Sequence, residues 1–171
     1  MLAKGAIDGD DVALAELVRR TQHAVEGLCR VLADVDEVED VVQEVYLRFV
    51  AALPGFRFDS PVLPWLLSIA RRTCADLVRR RSRRRRLLDR YSALPPPPFV
   101  APASAGGLVA VFDLLAGLDR DRRTAFVLTQ LIGLTYEEAA EVCDCPVGTV
   151  RSRIARARAE LAFLVDQAES A

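Results

Sequence analysis

Histidine, methionine and tryptophan each occur once in this chain, and lysine occurs only at Lys4. The single histidine, His23, stands far in sequence from most of the four scattered cysteines, Cys29, Cys74, Cys143 and Cys145. No nucleophile with its base, no paired carboxylates, no phosphate-binding loop and no metal cluster can be assembled from so sparse a set. An enzyme is therefore not expected, nor a cofactor or a bound metal. No apolar run approaches the roughly 18 residues of a membrane span, and the first residues lack a basic segment followed by an apolar one. The expectation is a soluble, cytoplasmic protein without membrane insertion. Nor does any segment alternate apolar and polar residues as a half-buried strand does, which points to an all-α fold.

What is present is arginine, unevenly placed. Net charge is −1, yet residues 1–60 hold 6 basic against 12 acidic residues, residues 61–90 hold 10 against 2, and residues 91–171 hold 7 against 10. A basic block beside an acidic first third suits a protein that meets a polyanion on one surface and something else on another.

The best-specified stretch runs from Thr135 to Leu161. Thr135 and Glu138 form a capping-box pattern that starts a short helix, with Ala139, Ala140 and Cys143 as its small inward face. Asp144 tolerates a left-handed backbone and Pro146 suits a first helical position, so a turn and a second helix follow. On that helix Val150, Ile154, Ala157 and Leu161 fall on one stripe at spacings of 4, 3 and 4. The opposite face shows Thr149, Arg151, Ser152, Ala155 and Arg156. Arginine forks beside small residues are what a helix needs to enter a major groove and grip base edges or phosphates. The other reading of this face is a solvated surface of an ordinary helical hairpin. Cys143 and Cys145 straddle the turn, where small apolar side chains are wanted; a metal or redox pair is the alternative.

Upstream, residues 10–33 read as two helical pieces with Leu14, Leu17, Val18, Val25, Leu28 and Leu32 inward. Asp36 and Glu39 repeat the capping-box pattern, and Val38, Val41, Val42, Val45, Phe49 and Leu53 continue an apolar stripe. The far side of that helix carries Asp40, Gln43, Glu44, Leu47 and Arg48, which alone would read as a solvated surface. Phe56, Arg57, Phe58, Asp59 and Ser60 fall in a loop, either local packing or a platform for an unstacked base. Pro64 opens the next helix, with Leu66, Ile69, Ala70, Thr73 and Leu77 inward and Ser68, Arg71, Arg72, Ala75 and Arg79 outward. It runs into the arginine tract 79–86, which suits phosphate contact. The Pro-rich segment 91–107 is a linker. After it come a helix near 108–118, a helix over 119–131 ended at Gly133, and the helix-turn-helix.

This order, with EDVVQEVYLRF, then WLLSIARRTCADLVRRR, then CPVGTVRSRIARARAEL, resembles the extracytoplasmic-function (ECF) class of RNA polymerase sigma factors, in the sigma-70 family, with regions 2 and 4 only. The resemblance covers nearly the whole chain apart from its first ten or so residues and the linker. It implies two small helical domains joined by a Pro-rich linker: region 2 over 1–90, the linker over 91–107, and region 4 over 108–171.

It implies core RNA polymerase, promoter DNA and an anti-sigma factor as partners. Asp40, Gln43, Glu44 and Leu47 would meet the polymerase, which displaces the solvated reading of that face. Arg71, Arg72, Asp76, Arg79 and Arg80 would handle the downstream promoter element, and Phe56 to Ser60 would hold a flipped base. Thr149, Arg151, Ser152, Ala155 and Arg156 would read the upstream element. Leu63-Pro64 stands where the family usually has Arg-Thr, and Arg72 where it has Asn, so the downstream base preference does not carry over. A stand-alone helix-turn-helix regulator is the alternative function; it would need neither the acidic helix nor the second arginine face.

Overall fold

Asp10 accepts hydrogen bonds from the amides of Val12 (2.9 Å) and Ala13 (3.1 Å), and this cap starts the first long helix. The computed structural model describes residues 1–33, 38–91 and 114–169. Within them α1 is Leu2–Ile7, α2 Asp11–Leu32, α3 Val38–Ala52 and α4 Val62–Tyr91. A second group contains a helical turn at 114–116, α5 Arg120–Phe126, α6 Tyr136–Cys143 and α7 Val147–Glu169. Among the described residues there is no strand, and the fold is all-α.

Several boundaries differ from the sequence expectation for identifiable reasons. Residues 10–33 form one helix and not two: Gly27 weakens its middle, but Val25, Leu28 and Cys29 beside it are fully buried and hold the turn. Helix α4 begins at Val62, with Pro64 inside the first turn, where backbone amides lack helical partners and proline loses nothing. The unexpected α1 packs closely on α2; a Cβ on Gly5 would lie 3.0 Å from that of Ala13. The stretch expected as one helix to Leu131 is α5 followed by a π-helical turn, Val127–Leu131, and Gly133 closes it with φ +84°. Asp36 of the second capping-box pattern, residues 92–107 of the linker and residues 108–113 lie outside the described residues.

The N-terminal group packs α2, α3 and α4 around Phe49. Its ring centroid lies 6.2 Å from that of Tyr46 and 5.6 Å from that of Trp65. Leu66, Leu67, Ala70 and Cys74 of α4 complete this core with Val25, Leu28 and Cys29 of α2. In the second group, Leu128, Ala139, Val142, Val150 and Ile154 are buried together. The two cores are continuous, with α4 packed on α6 and α2 on α5.

Two arginines stitch this junction in opposite directions. Arg71 of α4 donates from Nε to the carbonyl of Val142 in the last turn of α6, at 2.7 Å. Arg123 of α5 donates from Nη1 to the carbonyl of Val31 in the last turn of α2, at 3.1 Å. Helix-end carbonyls have no intrahelical amide partner and carry partial negative charge, so a guanidinium satisfies both needs.

Candidate nucleic-acid interface

The helix-turn-helix is set by local chemistry. The Thr135 amide donates to Glu138 Oε2 at 2.9 Å and the Glu138 amide to Thr135 Oγ1 at 3.1 Å, so the capping box is complete. Asp144 takes the left-handed conformation, φ 54°, and releases the chain into α7. Val150, Ile154 and Ala157 are buried, with Leu161 packed at the edge of the core. That orientation leaves Arg151, Ser152, Ala155 and Arg156 exposed on the opposite side, with Thr149 half-buried beside them. The Arg151 guanidinium lies 5.9 Å from the Tyr136 ring centroid, a cation–π contact that ties the two helices on their outer side.

Not every arginine of this helix faces outward. Arg153 pairs with Asp121 of α5 and donates to Cys145 Sγ at 3.4 Å, and Arg158 donates to Gln130 Oε1 at 2.8 Å. These two fasten α7 to the rest of its unit. Sequence spacing does not place Arg153 on the apolar stripe, and no local signal marks its partner 32 residues away.

On α4, Arg72, Arg79 and Arg80 are exposed, whereas Arg71 is half-buried by its bond to Val142. Asp76 accepts from Arg79 Nη2 at 2.6 Å and from Arg48 Nη1 at 3.2 Å. Those two guanidiniums, Arg79 foremost, hold its carboxyl below the ordinary carboxylate range. Arg48 also donates from Nε to Glu44 Oε1 at 2.7 Å. A chain of alternating charge, Glu44–Arg48–Asp76–Arg79, thus runs from α3 to α4 and couples the two faces that the sequence treats separately.

Helix α3 exposes Asp40, Gln43 and Leu47, the last at 61% of its full accessibility, and Val50 extends this patch. Glu44 is only half-exposed because of its bond to Arg48. In the loop before α4 the residues divide. Phe56 is buried, stacked 4.6 Å from Trp65, while Phe58 is exposed and lies 4.8 Å from Phe56. Phe58 adopts φ 61°, a conformation uncommon for a bulky residue, and one that keeps its ring outward instead of in the core. Arg57 and Asp59 are exposed, 4.0 Å apart, and Ser60 is half-buried.

The cysteines behave as core residues. Burial pushes the Cys143 thiol up to about 11, so it is neutral at pH 7. Cys74 and Cys29 are fully buried with their sulfurs 3.8 Å apart, bridging α4 and α2. Among the described residues no group of three His, Cys, Asp or Glu side chains could hold a metal ion, and no helix is long and apolar enough to cross a membrane.

An arginine-faced helix-turn-helix joined to a helical unit with a second arginine face is the architecture of a helical DNA-binding protein. Residues 17–84 match the family model for sigma-70 region 2, and residues 108–161 match that for sigma-70, region 4. The chain is 43% identical over 161 residues to the ECF RNA polymerase sigma factor SigC of Mycobacterium tuberculosis, across 92% of this chain and 85% of that protein. It superimposes on CnrH, solved in complex with the cytosolic domain of CnrY, with a TM-score of 0.75 and 32% identity over 97% of this chain and 96% of that one. It is equally similar in fold, TM-score 0.75 at 28% identity, to the sigma factor RpoE solved with the anti-sigma factor NepR from Bartonella quintana, over 90% of this chain and 96% of that one. This chain belongs to the ECF class of RNA polymerase sigma factors.

Proposed function

We propose that residues 1–90 bind core RNA polymerase and engage the downstream promoter element, that residues 108–171 read the upstream element, and that 91–107 link the two. The observation that carries this reading is the pairing of two unlike exposed surfaces on one chain. The α7 face shows Arg151, Ser152, Ala155 and Arg156, and the α3 face shows Asp40, Gln43 and Leu47. The first suits base edges and phosphates. The second, acidic and apolar, suits a protein partner and repels DNA. Glu44 supports that partner face through Arg48, which holds α3 against α4.

On α4 the exposed Arg72, Arg79 and Arg80 contact the downstream element, with Asp76 fixing Arg79 in place. Phe58 is the residue of the 56–60 loop presented to an unstacked base, and buried Phe56 supports its ring. The protein acts in the cytoplasm as an initiation factor and performs no chemistry of its own. Because the Bartonella relative is solved with an anti-sigma factor, we extend that kind of partner to this chain.

Run-off transcription with purified core RNA polymerase tests the reading. Promoter-specific transcripts that require this protein are the expected result. Tight binding to promoter duplex without any association with polymerase would replace it with a stand-alone helix-turn-helix regulator.

A further inference from the structure

Between the two helical units lies a cavity of about 150 Å³, walled in part by Arg71 of α4, Arg120 and Asp121 of α5, Cys143 of α6 and Arg153 of α7. Three guanidiniums meet a single carboxylate there. Asp121 is engaged by Arg153, and Arg71 spends its Nε on the Val142 carbonyl. The Nη2 of Arg120 is buried and has no hydrogen-bond partner, a state that native proteins largely avoid. Cys143 is a neutral thiol and supplies no balancing charge. Water could donate and accept in such a space, but it cannot offset the excess positive charge of the wall.

We propose that this cavity is a binding site for one tetrahedral, phosphate-class oxyanion that joins Arg71 of the N-terminal unit to Arg120 and Arg153 of the C-terminal unit. Such an anion offers several acceptor oxygens to planar N–H forks, the geometry in which guanidinium groups bind phosphate most strongly. It neutralises the charge that the single carboxylate leaves over. Arg120 and Arg153 belong to neither of the faces assigned to DNA, which separates the site from them. The proposal goes beyond the promoter-binding reading and does not need it, because the ligand is a small anion and the elements it bridges are already packed together.

The experiment uses the full chain, with thermal unfolding and titration calorimetry in potassium phosphate against potassium chloride at matched ionic strength and pH. Phosphate is expected to bind at one site and to raise the unfolding temperature saturably beyond chloride, as ligands of the native state do. R120Q should weaken that binding at least tenfold and R153Q should also weaken it, while R156Q, on the exposed face of α7, should retain it. A nucleoside monophosphate and its nucleoside form two further arms. Tighter binding of the monophosphate than of orthophosphate identifies a nucleotide as the source of the phosphoryl group; the reverse identifies the free ion. Equal responses of the unaltered protein to phosphate and chloride overturn the proposal, whatever the variants do. So does loss of the phosphate effect in R156Q with retention in R120Q.

Discussion

Arg71 Nε donates to the carbonyl of Val142 at 2.7 Å, so a side chain of α4 serves as a C-cap for a helix in the other unit. The family resemblance gives Arg71 to the downstream element, whereas the structure spends its guanidinium on α6. Arg71→Ala should loosen the junction, costing on the order of 1 kcal/mol for a hydrogen bond to a partly buried carbonyl. Small-angle scattering of the free protein should report a larger radius of gyration for the variant, and Arg123→Ala, which removes the reciprocal bond to Val31, should act in the same direction. Unchanged scattering in both would show that apolar contact alone holds the units together.

The polymerase face is best tested at Leu47. Glu44→Lys would set a lysine beside Arg48 and remove the α3 carboxylate that holds the arginine bridging to Asp76 of α4, so a loss of activity there mixes folding with binding. Leu47 is exposed, and Leu47→Glu should change stability by less than about 0.5 kcal/mol. Capture by core RNA polymerase should nevertheless fall markedly. A variant that folds normally and is captured at full strength would remove α3 from the interface.

Arg153 and Arg156 stand three residues apart on α7 and should respond differently. Arg156→Ala should cost about 1 to 3 kcal/mol of specific upstream-element binding and relax base selectivity locally. Arg153→Ala should instead lower the unfolding temperature through loss of the Asp121 pair, with base preference retained. Binding to a panel of promoter variants, alongside thermal unfolding, separates the two outcomes.

Asp76 supplies a pH dependence. Arg79 and Arg48 depress its folded-state pKa, so its contribution to stability is complete above the ordinary aspartate value of about 3.9 and is lost as pH falls through the lowered value. Below pH about 4 the unaltered protein should therefore lose stability more steeply than Asp76→Asn. Parallel acid limbs in urea titrations would show that the Glu44–Arg48–Asp76–Arg79 chain carries no net stabilisation.

The helix-turn-helix was legible from sequence because its signals are local. A capping box spans three residues, a left-handed aspartate marks its own turn, and an apolar stripe orients the helix that follows. The exposed set Arg151, Ser152, Ala155 and Arg156 follows from that stripe by geometry. The all-α class and the inward stripes of α2, α3 and α4 were readable for the same reason. What could not be read joins residues far apart along the chain. Arg71 finds Val142 and Arg123 finds Val31 at separations of 71 and 92 residues, and both acceptors are backbone carbonyls that leave no trace in side-chain pattern. Arg153 is absent from the sequence reading of α7 because its partner, Asp121, lies on α5. Phe56 and Phe58 are one residue type in one loop, and only Trp65 and the positive φ of Phe58 send one inward and the other out.

Because the reciprocal caps of Arg71 and Arg123 lie within a single polypeptide, their strength against competitors does not change on dilution. Doubling the amount of protein doubles what is offered to polymerase and promoter, but leaves these contacts within each molecule where they were. An outside group that competes for either carbonyl meets the same internal effective concentration at any dilution. Those two bonds, together with the apolar packing around them, hold the junction equally well however much of the protein a cell makes.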